Sequence, residues 1–370
     1  MEKEILEYEQ FDEADDKQLQ LFSRICTFVM ILICFLGLVG NSLSLSVYTR
    51  PKFRKKSINV LLCALSASDL CVCFIAIPVF SISHLNEHLP GSERVTALIM
   101  VFLYPVVIMF QSMSVWLLVA ITVDRYLAVC HPFYCRSYCT KGRAIIIVAI
   151  TVTFSIAYNL VRFWEFKYVE HESGALDKLV QPQLRSNPTF MLWYQNILTL
   201  ISQFLLPVAV LLVLNIQVAR TIIEASHQRE GLVASQRREH STAKMMIYVV
   251  IVFLVCYTFS IVLNILEITD SSLFRHRVGY LLNDVNNILV VVNSSTTFLF
   301  YVIYSTRYRK QLRTLYGINW IVARIRFRNT RKKNSKRNGS SDNYRLKAEG
   351  SYLRSEGNKS NYSGVSTMSN

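Results

Sequence analysis

The sequence predicts an all-α membrane protein, a seven-transmembrane helix bundle followed by a short amphipathic surface helix. Two observations predict this class. Of the 370 residues, 52% are apolar, and they gather into seven long runs. Each run reaches the ~20 residues that a helix needs to cross about 30 Å of hydrocarbon. Lys and Arg collect in the segments between the runs, and a water-soluble core rarely repeats such a pattern.

The apolar runs place the predicted spans at 24–49, 57–84, 92–127, 142–164, 191–221, 239–267 and 277–304. Several spans exceed the minimum length, which permits tilt. Residues 305–316 follow the last span and have Tyr308, Leu312 and Leu315 on one face, with cations elsewhere. This spacing predicts a short amphipathic helix on the membrane lipid surface.

Charge orients the predicted bundle. The segments after spans 1, 3 and 5 and the tail after span 7 hold most of the 40 Lys and Arg residues. Positive charge stays cytoplasmic, so we expect an acidic extracellular N-terminus (1–23), a seven-helix membrane domain (24–304) and a basic, Ser-rich, disordered cytoplasmic tail (317–370). Topology thus accounts for the net charge of +15. Nucleic-acid binding is disfavoured, because the tail would be its sole basic surface.

Polar residues inside the spans are the first candidate site. Asn41, Asp69, Ser114, Asn293 and Ser294 all fall within apolar runs. An ionisable group in a bilayer costs a few kcal/mol, so each such residue is a functional hypothesis. We expect Asp69 to form a hydrated, sodium-like ion site with its neighbours. Hydrogen bonding between helices is the alternative, and it is favoured for Asn41 alone.

Asp124, Arg125 and Tyr126 end the third span and are candidates for a switch. Asp124 can hold Arg125 within its own helix, while Glu239, at the start of span 6, can pair with the same guanidinium between helices. Such an ion pair has two states, closed between spans 3 and 6 or open. Charges at a helix end are otherwise an ordinary solvated face.

Short motifs then indicate a family. They are Asn41, ALSASDL with Asp69, DRYLAVCHP from Asp124, Pro207, FLVC before Tyr257, and Tyr301. Over residues 24–316 the chain resembles rhodopsin-like (class A) G-protein-coupled receptors. The stretches LYPVVIMFQSMSVW, NLVRFWEFKYVE and VVNSSTTFLFY are similar to invertebrate FMRFamide-type neuropeptide receptors. The resemblance implies a plasma-membrane receptor without enzymatic activity or cofactor, a neuropeptide ligand, a heterotrimeric G protein and an activation role for Tyr301.

The chain departs from this family at three places. Members usually join the outer end of span 3 by a disulfide to the loop between spans 4 and 5, which we call the 4–5 loop. Here Met100 stands at the span 3 position, and no Cys lies between Cys139 and Cys256. We therefore expect the loop to be held otherwise or to be looser. The usual prolines of spans 6 and 7 are also missing, so both helices lose the residue that kinks them.

Several ligand classes are excluded. Val107 occupies the span 3 position of the amine-binding Asp, which argues against a biogenic amine. Span 7 has no Lys for a retinal Schiff base. No metal or nucleophile motif of the HExxH or GxSxG type occurs. Cys135, Cys139 and His131 form a loose cluster in which we do not expect zinc.

The remaining residues suggest a cationic, amidated peptide. Acidic groups gather in residues 1–16 and at Glu165, Glu267 and Asp284, which would steer a cation and could pair with an Arg. Aromatic rings and amides in the spans suit a Phe side chain and a terminal carboxamide. The predicted ligand-binding residues are Tyr104, Val107, Gln111, Trp193, Tyr194, Tyr257, Asn264, Glu267, Asp284 and Asn287. Each aromatic residue taken singly is better explained by helix packing.

Two other functions stay open at this point. One is a chemosensory receptor for a small molecule. The other is a transporter, which would need an inverted repeat, broken helices or a charged path, and none is visible. Ser363 and the run Ser366–Ser369 could recruit arrestin after phosphorylation, or could be plain disordered tail.

Overall fold

The computed structural model of this chain describes residues 2–51, 53–85, 93–169, 180–227, 234–269 and 277–315, with side chains over a narrower part. The chain divides into two compact units, Met1–Arg309 and Lys310–Asn370. The first contains the helix bundle. The second is described over its first residues, 310–315, which are helical. The predicted tail, 317–370, lies outside the described residues.

Seven helices in the described residues are long and apolar enough to cross a membrane. They span Gln18–Tyr48, Ser57–Phe80, Glu93–Cys130, Lys141–Trp164, Pro188–Glu224, Ala243–Thr269 and Leu281–Tyr304, and we number them spans 1 to 7. The predicted fold class is confirmed, and the predicted limits agree to within a few residues. The first helix begins earlier than the predicted span. The acidic N-terminal segment is also helical, so one helix runs from Glu2 to Tyr48.

The helices and strands have the following bounds. The α-helices are Glu2–Tyr48, Ser57–Leu85, Glu93–Leu98, Tyr104–Cys130, Pro132–Tyr138, Lys141–Asn159, Pro188–Phe190, Leu206–His227, Ala234–Thr269, Arg277–Tyr304 and Thr306–Leu315. Spans 3 and 5 contain π-helical turns at Ile99–Leu103, Met191–Leu198 and Leu200–Leu205. Two 3₁₀ turns, Leu160–Trp164 and Leu184–Ser186, flank the antiparallel strands β1 (Phe166–Tyr168) and β2 (Val180–Pro182).

Prolines account for two of the π-helical turns. Pro105 follows the turn Ile99–Leu103, and Pro207 follows the turn Leu200–Leu205. Proline lacks the N–H that would bond to the carbonyl four residues earlier, and its ring crowds that carbonyl. A widened turn before the proline relieves both problems. Spans 6 and 7 have no proline, and their helices run from Ala234 to Thr269 and from Arg277 to Tyr304 without interruption.

Apolar side chains cover the outside of the bundle, while polar ones lie inside. Phe28, Phe35 and Leu36 of span 1 are 63%, 56% and 63% exposed, whereas Asn41 of the same span is 0% exposed. A water-soluble protein shows the opposite distribution, because it buries apolar surface. The bundle therefore has the surface of a protein whose solvent is lipid.

Span 1 packs closely against span 7 because of two glycines. A Cβ added at Gly37 would contact Ser295 and Cys73, and a Cβ added at Gly40 would overlap the Phe298 ring. Small residues let helix backbones approach each other in membranes, where van der Waals packing drives association. Gly40 and Phe298 thus fix the distance between these two helices.

The ends of spans 1 and 7 next to the final helix meet in an aromatic cluster. The rings of Tyr48 and Tyr301 are 5.6 Å apart, and that of Tyr308 lies 5.9 Å from Tyr48 and 5.8 Å from Tyr301. The Ser44 and Tyr308 hydroxyls are hydrogen-bonded at 3.0 Å. All three rings are buried. Tyr308 therefore ties the start of the helix Thr306–Leu315 to the bundle, whereas the sequence placed this side chain on a face toward lipid.

Replacing Gly40 by Ala should lower thermal stability, because the new methyl group has to displace the Phe298 ring. Overpacking of this kind costs about 1–3 kcal/mol. The melting temperature of the detergent-purified protein measures the effect. Gly142→Ala is the matched control, since a Cβ there meets no atom within 4 Å. Equal melting temperatures for the two variants would contradict the close approach.

Candidate functional site

A cavity of about 540 Å³ opens between the spans at the end where the 4–5 loop lies. Its lining comes from spans 2 to 7 and from Arg185 of the loop. The lining residues are Val72, Ala76, Phe80, Tyr104, Val107, Ile108, Gln111, Ser112, Val115, Arg162, Arg185, Gln195, Thr199, Gln203, Phe204, Tyr257, Ser260, Leu263, Asn264, Glu267, Asn283, Asn286, Asn287, Val290 and Val291. We call this space the interhelical cavity. Its size is in the range of small-ligand sites.

Most of the predicted ligand-binding residues line this cavity. They are Tyr104, Val107, Gln111, Tyr257, Asn264, Glu267 and Asn287. Three others are absent from the lining among the described residues. Trp193 is 62% exposed on the outside of span 5. Tyr194 stacks on Tyr158 and donates to its backbone carbonyl at 2.6 Å. Asp284 accepts a hydrogen bond from Ser23 of span 1 at 2.6 Å.

The cavity wall is rich in side-chain amides. Gln111, Gln195, Gln203, Asn264, Asn283, Asn286 and Asn287 all contribute to it. Gln203 Nε2 and Asn264 Oδ1 are buried with no hydrogen-bond partner in the described part of the chain. A buried amide atom without a partner costs free energy that a polar ligand group can recover. The wall is therefore suited to a ligand with several amide groups.

Sequence reasoning missed four of these amides, namely Gln195, Gln203, Asn283 and Asn286. A signal for them existed. Gln195, Thr199 and Gln203 recur at intervals of four residues, which places polar groups on one face of an apolar span. Asn283 and Asn287 repeat the same interval in span 7. Ser260 of span 6 donates to Asn286 Oδ1 at 2.5 Å and holds that amide in the wall.

Aromatic rings form the deep end of the cavity. Tyr257 is 2% exposed, and its ring lies 4.3 Å from Phe253 and 5.8 Å from Phe204. Gln111 of span 3 lies beside Tyr257, and both residues line the cavity. Tyr257 stands where the family usually has Trp in span 6, and it keeps a large ring there. A ligand that contacts the amide of Gln111 therefore also lies next to the Tyr257 ring, which packs within span 6.

A buried arginine joins span 4 to span 5 beside the cavity. Arg162 is 4% exposed. Its Nε donates to Asn159 Oδ1 at 3.0 Å, and Nη1 donates to Glu165 Oε1 at 3.0 Å and to Gln195 Oε1 at 2.8 Å. Nη2 reaches Thr199 Oγ1 at 3.5 Å. We call these five residues the Arg162 cluster. Its planar guanidinium uses the fork of donors that Lys lacks.

Glu165 connects the Arg162 cluster to the 4–5 loop. Its backbone carbonyl accepts hydrogen bonds from the N–H groups of Gln183, at 2.9 Å, and Arg185, at 3.4 Å. Arg185 Nη1 also lies 3.8 Å from Glu165 Oε2. Burial raises the pKa of the Glu165 carboxyl, against the opposite effect of Arg162 and Arg185. Glu165 was expected in an acidic mouth of the receptor, but it is 1% exposed and neutralised by these cations.

The polar residues predicted inside the spans do gather around Asp69. Ser114 Oγ donates to Asp69 Oδ1 at 2.5 Å, and Ser294 of span 7 also faces the carboxylate. Asn41 Nδ2 donates to the Ser294 carbonyl at 3.0 Å, and Asn293 is 8% exposed. Asp69 Oδ2 and Asn41 Oδ1 are buried without a hydrogen-bond partner among the described residues. These acceptors fit water or a small cation. Spans 2, 3 and 7 meet at the Asp69 carboxylate, and the bond from Asn41 to Ser294 adds span 1 beside it.

At the end of span 3 the predicted pair within one helix, between Asp124 and Arg125, is present. Arg125 Nη2 donates to Asp124 Oδ2 at 2.5 Å, and both residues are buried. Ser57, at the start of span 2, donates to Asp124 Oδ1 at 2.6 Å, a contact that sequence reasoning missed. The Tyr126 hydroxyl bonds to His131 at 2.9 Å. Glu239 falls in the helix of span 6, but its side chain lies outside the described residues.

Comparisons with known proteins agree with this architecture. Residues 40–301 match the model of the family described as 7 transmembrane receptor (rhodopsin family). The chain is 36% identical to the FMRFamide peptide receptor frpr-18 of Caenorhabditis elegans, over 76% of this chain and 67% of that protein. It is 32% identical to the FMRFamide receptor of Drosophila melanogaster, over 77% of this chain and 52% of that protein.

A more distant relative is the QRFP-like peptide receptor of Branchiostoma floridae. It is 23% identical over 79% of this chain and 78% of its own length. The chain spans about half the length of the Drosophila receptor. The family model and the names of these relatives all describe receptors. The chain therefore belongs to the rhodopsin family of seven-transmembrane receptors, as a multi-pass protein of the plasma membrane and not an enzyme.

Proposed function

We propose that this chain is a receptor for an extracellular FMRFamide-like neuropeptide and signals through a heterotrimeric G protein. The observation that carries the proposal is the interhelical cavity, whose wall combines seven side-chain amides, aromatic rings and one acidic residue, Glu267, with the cations Arg162 and Arg185 in the same wall. Two relatives that are named for FMRFamide support it, at 36% and 32% identity. This lining matches the three chemical groups at the end of such a peptide.

Each of these groups has a counterpart in the wall. The phenyl ring can pack on Tyr104, Phe204 and Tyr257, where aromatic contacts add to burial. The terminal carboxamide both donates and accepts, so Gln203 and Asn264 can satisfy it. The Arg guanidinium can pair with Glu267. A free carboxylate end would lack the donors that Asn264 Oδ1 needs, so the amidated peptide is preferred.

The proposed topology places residues 1–23 outside and residues 317–370 in the cytoplasm. It rests on the positive charge between spans and in the tail. The helix Thr306–Leu315 would then lie on the inner lipid surface, with Arg307 and Lys310 toward water. The Ser-rich tail would recruit arrestin after phosphorylation.

Activation in this proposal is a shift between two states that exist before ligand binds. Agonist in the cavity contacts Gln111 and Tyr257 and favours the state in which span 6 moves away from span 3. Arg125 then leaves Asp124 and its proposed contact with Glu239, and becomes available to the G protein. Asp69 with its hydrated, cation-binding neighbours would favour the inactive state, because a bound cation holds spans 1, 2, 3 and 7 together.

The first prediction concerns the ligand. FMRFamide should activate the receptor expressed in cells, measured as G-protein dissociation, and the free-acid peptide should be at least about tenfold weaker, since one unpaired buried polar group costs about 1–3 kcal/mol. A matched receptor with Asn264→Leu should narrow that ratio, because it removes the acceptor that the carboxamide N–H satisfies. If neither FMRFamide nor its free-acid form activates the wild-type receptor at confirmed surface expression, the peptide assignment is wrong.

The second prediction concerns the acidic residue in the wall. Glu267→Gln should lower FMRFamide potency about 30-fold, because loss of one partner of an enclosed charge pair costs about 2 kcal/mol or more. Asp284→Asn is the matched control, because its carboxylate bonds to Ser23 outside the cavity lining. A peptide with citrulline in place of Arg should be weak on wild type and no weaker on Glu267→Gln. If the losses of potency caused by citrulline and by Glu267→Gln add together, the peptide Arg does not pair with Glu267.

The third prediction concerns the restraint on span 6. Glu239→Ala should raise signalling without agonist by at least about fivefold, the effect of a coupling near 1 kcal/mol. Glu224→Ala is the control, because Glu224 is an exposed acid at the same end of span 5. Basal G-protein signalling is compared at equal surface expression. Wild-type basal signalling in Glu239→Ala would show that this ion pair does not restrain the receptor.

A further inference from the structure

The 4–5 loop contacts the bundle through polar groups. The Arg162 cluster joins span 4, span 5 and the first loop residue, Glu165, through one guanidinium. The backbone carbonyl of Glu165 in turn accepts hydrogen bonds from the N–H groups of Gln183 and Arg185, which follow β2 at the other end of the loop. Both ends of the loop are thereby held at one point. Arg162 and Glu165 are at most 4% exposed, so water does not compete for these contacts.

The described parts of the loop between these points form two paired strands. β1 and β2 pair with Phe166 opposite Pro182, Lys167 opposite Gln181 and Tyr168 opposite Val180. β1 packs against the π-helical turn of span 3, Ile99–Leu103. Met100 lies in that turn, and the loop sequence contains no Cys. All nine cysteines of the chain are free. A covalent link from span 3 to this loop is therefore excluded by the sequence.

Arg162 and Arg185 are also part of the cavity wall. Gln195 and Thr199, which bond to Arg162, line the same cavity. A displacement of the Arg162 guanidinium would release Gln195 and the loop together. The cluster thus couples the position of the loop to the shape of the wall.

We propose that Arg162 is a positioning residue, which fixes the 4–5 loop over the interhelical cavity through Glu165 and so sets the residence time of the ligand. The cluster supplies by buried hydrogen bonds the anchorage that a disulfide would supply covalently. The effect on the ligand rests on the proposed peptide function. The anchorage of the loop does not, and it is tested without any ligand.

The ligand-free test measures the reactivity of cysteines placed in the loop. A Cys at half-buried Leu184 is labelled on intact cells with a membrane-impermeant maleimide, and a Cys at exposed Gln183 gives the reference rate. Arg162→Gln should raise the Leu184→Cys rate by at least about fivefold, in the range of site-to-site couplings, and leave the Gln183→Cys rate unchanged. Lys167→Gln is the matched control, since it removes an exposed cation from β1.

The ligand test uses the same variants. Arg162→Gln should shorten FMRFamide residence time and lower its potency at least about tenfold at equal surface expression. Arg162→Lys keeps the charge but loses the fork of donors. The residence time and potency of FMRFamide on this variant should therefore lie between those on Arg162→Gln and on wild type. If the Arg162→Gln receptor fails to reach the cell surface, the double variant Arg162→Gln with Glu165→Gln replaces it in both tests. The double variant leaves no buried charge unpaired.

A rescue experiment separates positioning from stability. In the Arg162→Gln receptor, Met100→Cys is combined in turn with Phe166→Cys, Lys167→Cys or Tyr168→Cys. One such pair should restore slow dissociation, and a reductant should abolish the rescue. Equal Leu184→Cys labelling in wild type and Arg162→Gln overturns the anchorage, whether or not FMRFamide is an agonist. Faster labelling with unchanged residence time of an active peptide overturns the link to the ligand.

Discussion

Hydrocarbon offers no hydrogen bonds, and this constraint organises the whole bundle. Every polar side chain in a span needs a partner within the protein, so such side chains face inward and meet one another. Asn41 bonds to the Ser294 carbonyl, Ser114 bonds to Asp69, and Ser260 bonds to Asn286. Each of these bonds joins two different spans. Polar groups thereby set which helix faces meet, while apolar outer faces such as that of Phe28 are free to contact lipid.

The same constraint explains why the cavity is chemically rich. Side-chain amides that face inward can bond to a neighbouring helix or to a ligand, and Gln203 and Asn264 retain atoms that bond to no described residue. The π-helical turns contribute as well. They lie in the part of span 5 that carries Gln195, Thr199 and Gln203, all of which line the cavity. The binding surface of span 5 thus includes its irregular turns.

How far the sequence predicts the structure depends on the range of the interaction. The spans follow from apolar runs, and Asp124 with Arg125 follows from adjacency in the chain. The Asp69 neighbours follow from the lack of other partners in hydrocarbon. The orientation of Trp193 and Tyr194 was not predictable, because the periodicity of an α-helix fails in a π-helical turn. The Arg162 cluster was missed, since an Arg near a span end usually reaches water, and its partners Gln195 and Thr199 lie in another span.

A buried ion pair differs physically from the disulfide whose place it takes. A disulfide constrains the unfolded chain and stabilises by about 2–4 kcal/mol. A buried pair adds little net stability, yet loss of one partner costs about 3–5 kcal/mol because a charge is left without water or counter-ion. Arg162 and Glu165 therefore specify one loop position more than they stabilise the fold. Because the loop contains no thiol, a reductant cannot loosen it. A change that lets water reach the Arg162 guanidinium can loosen the loop. The packing of Tyr194 over Arg162 is therefore part of the loop's anchorage.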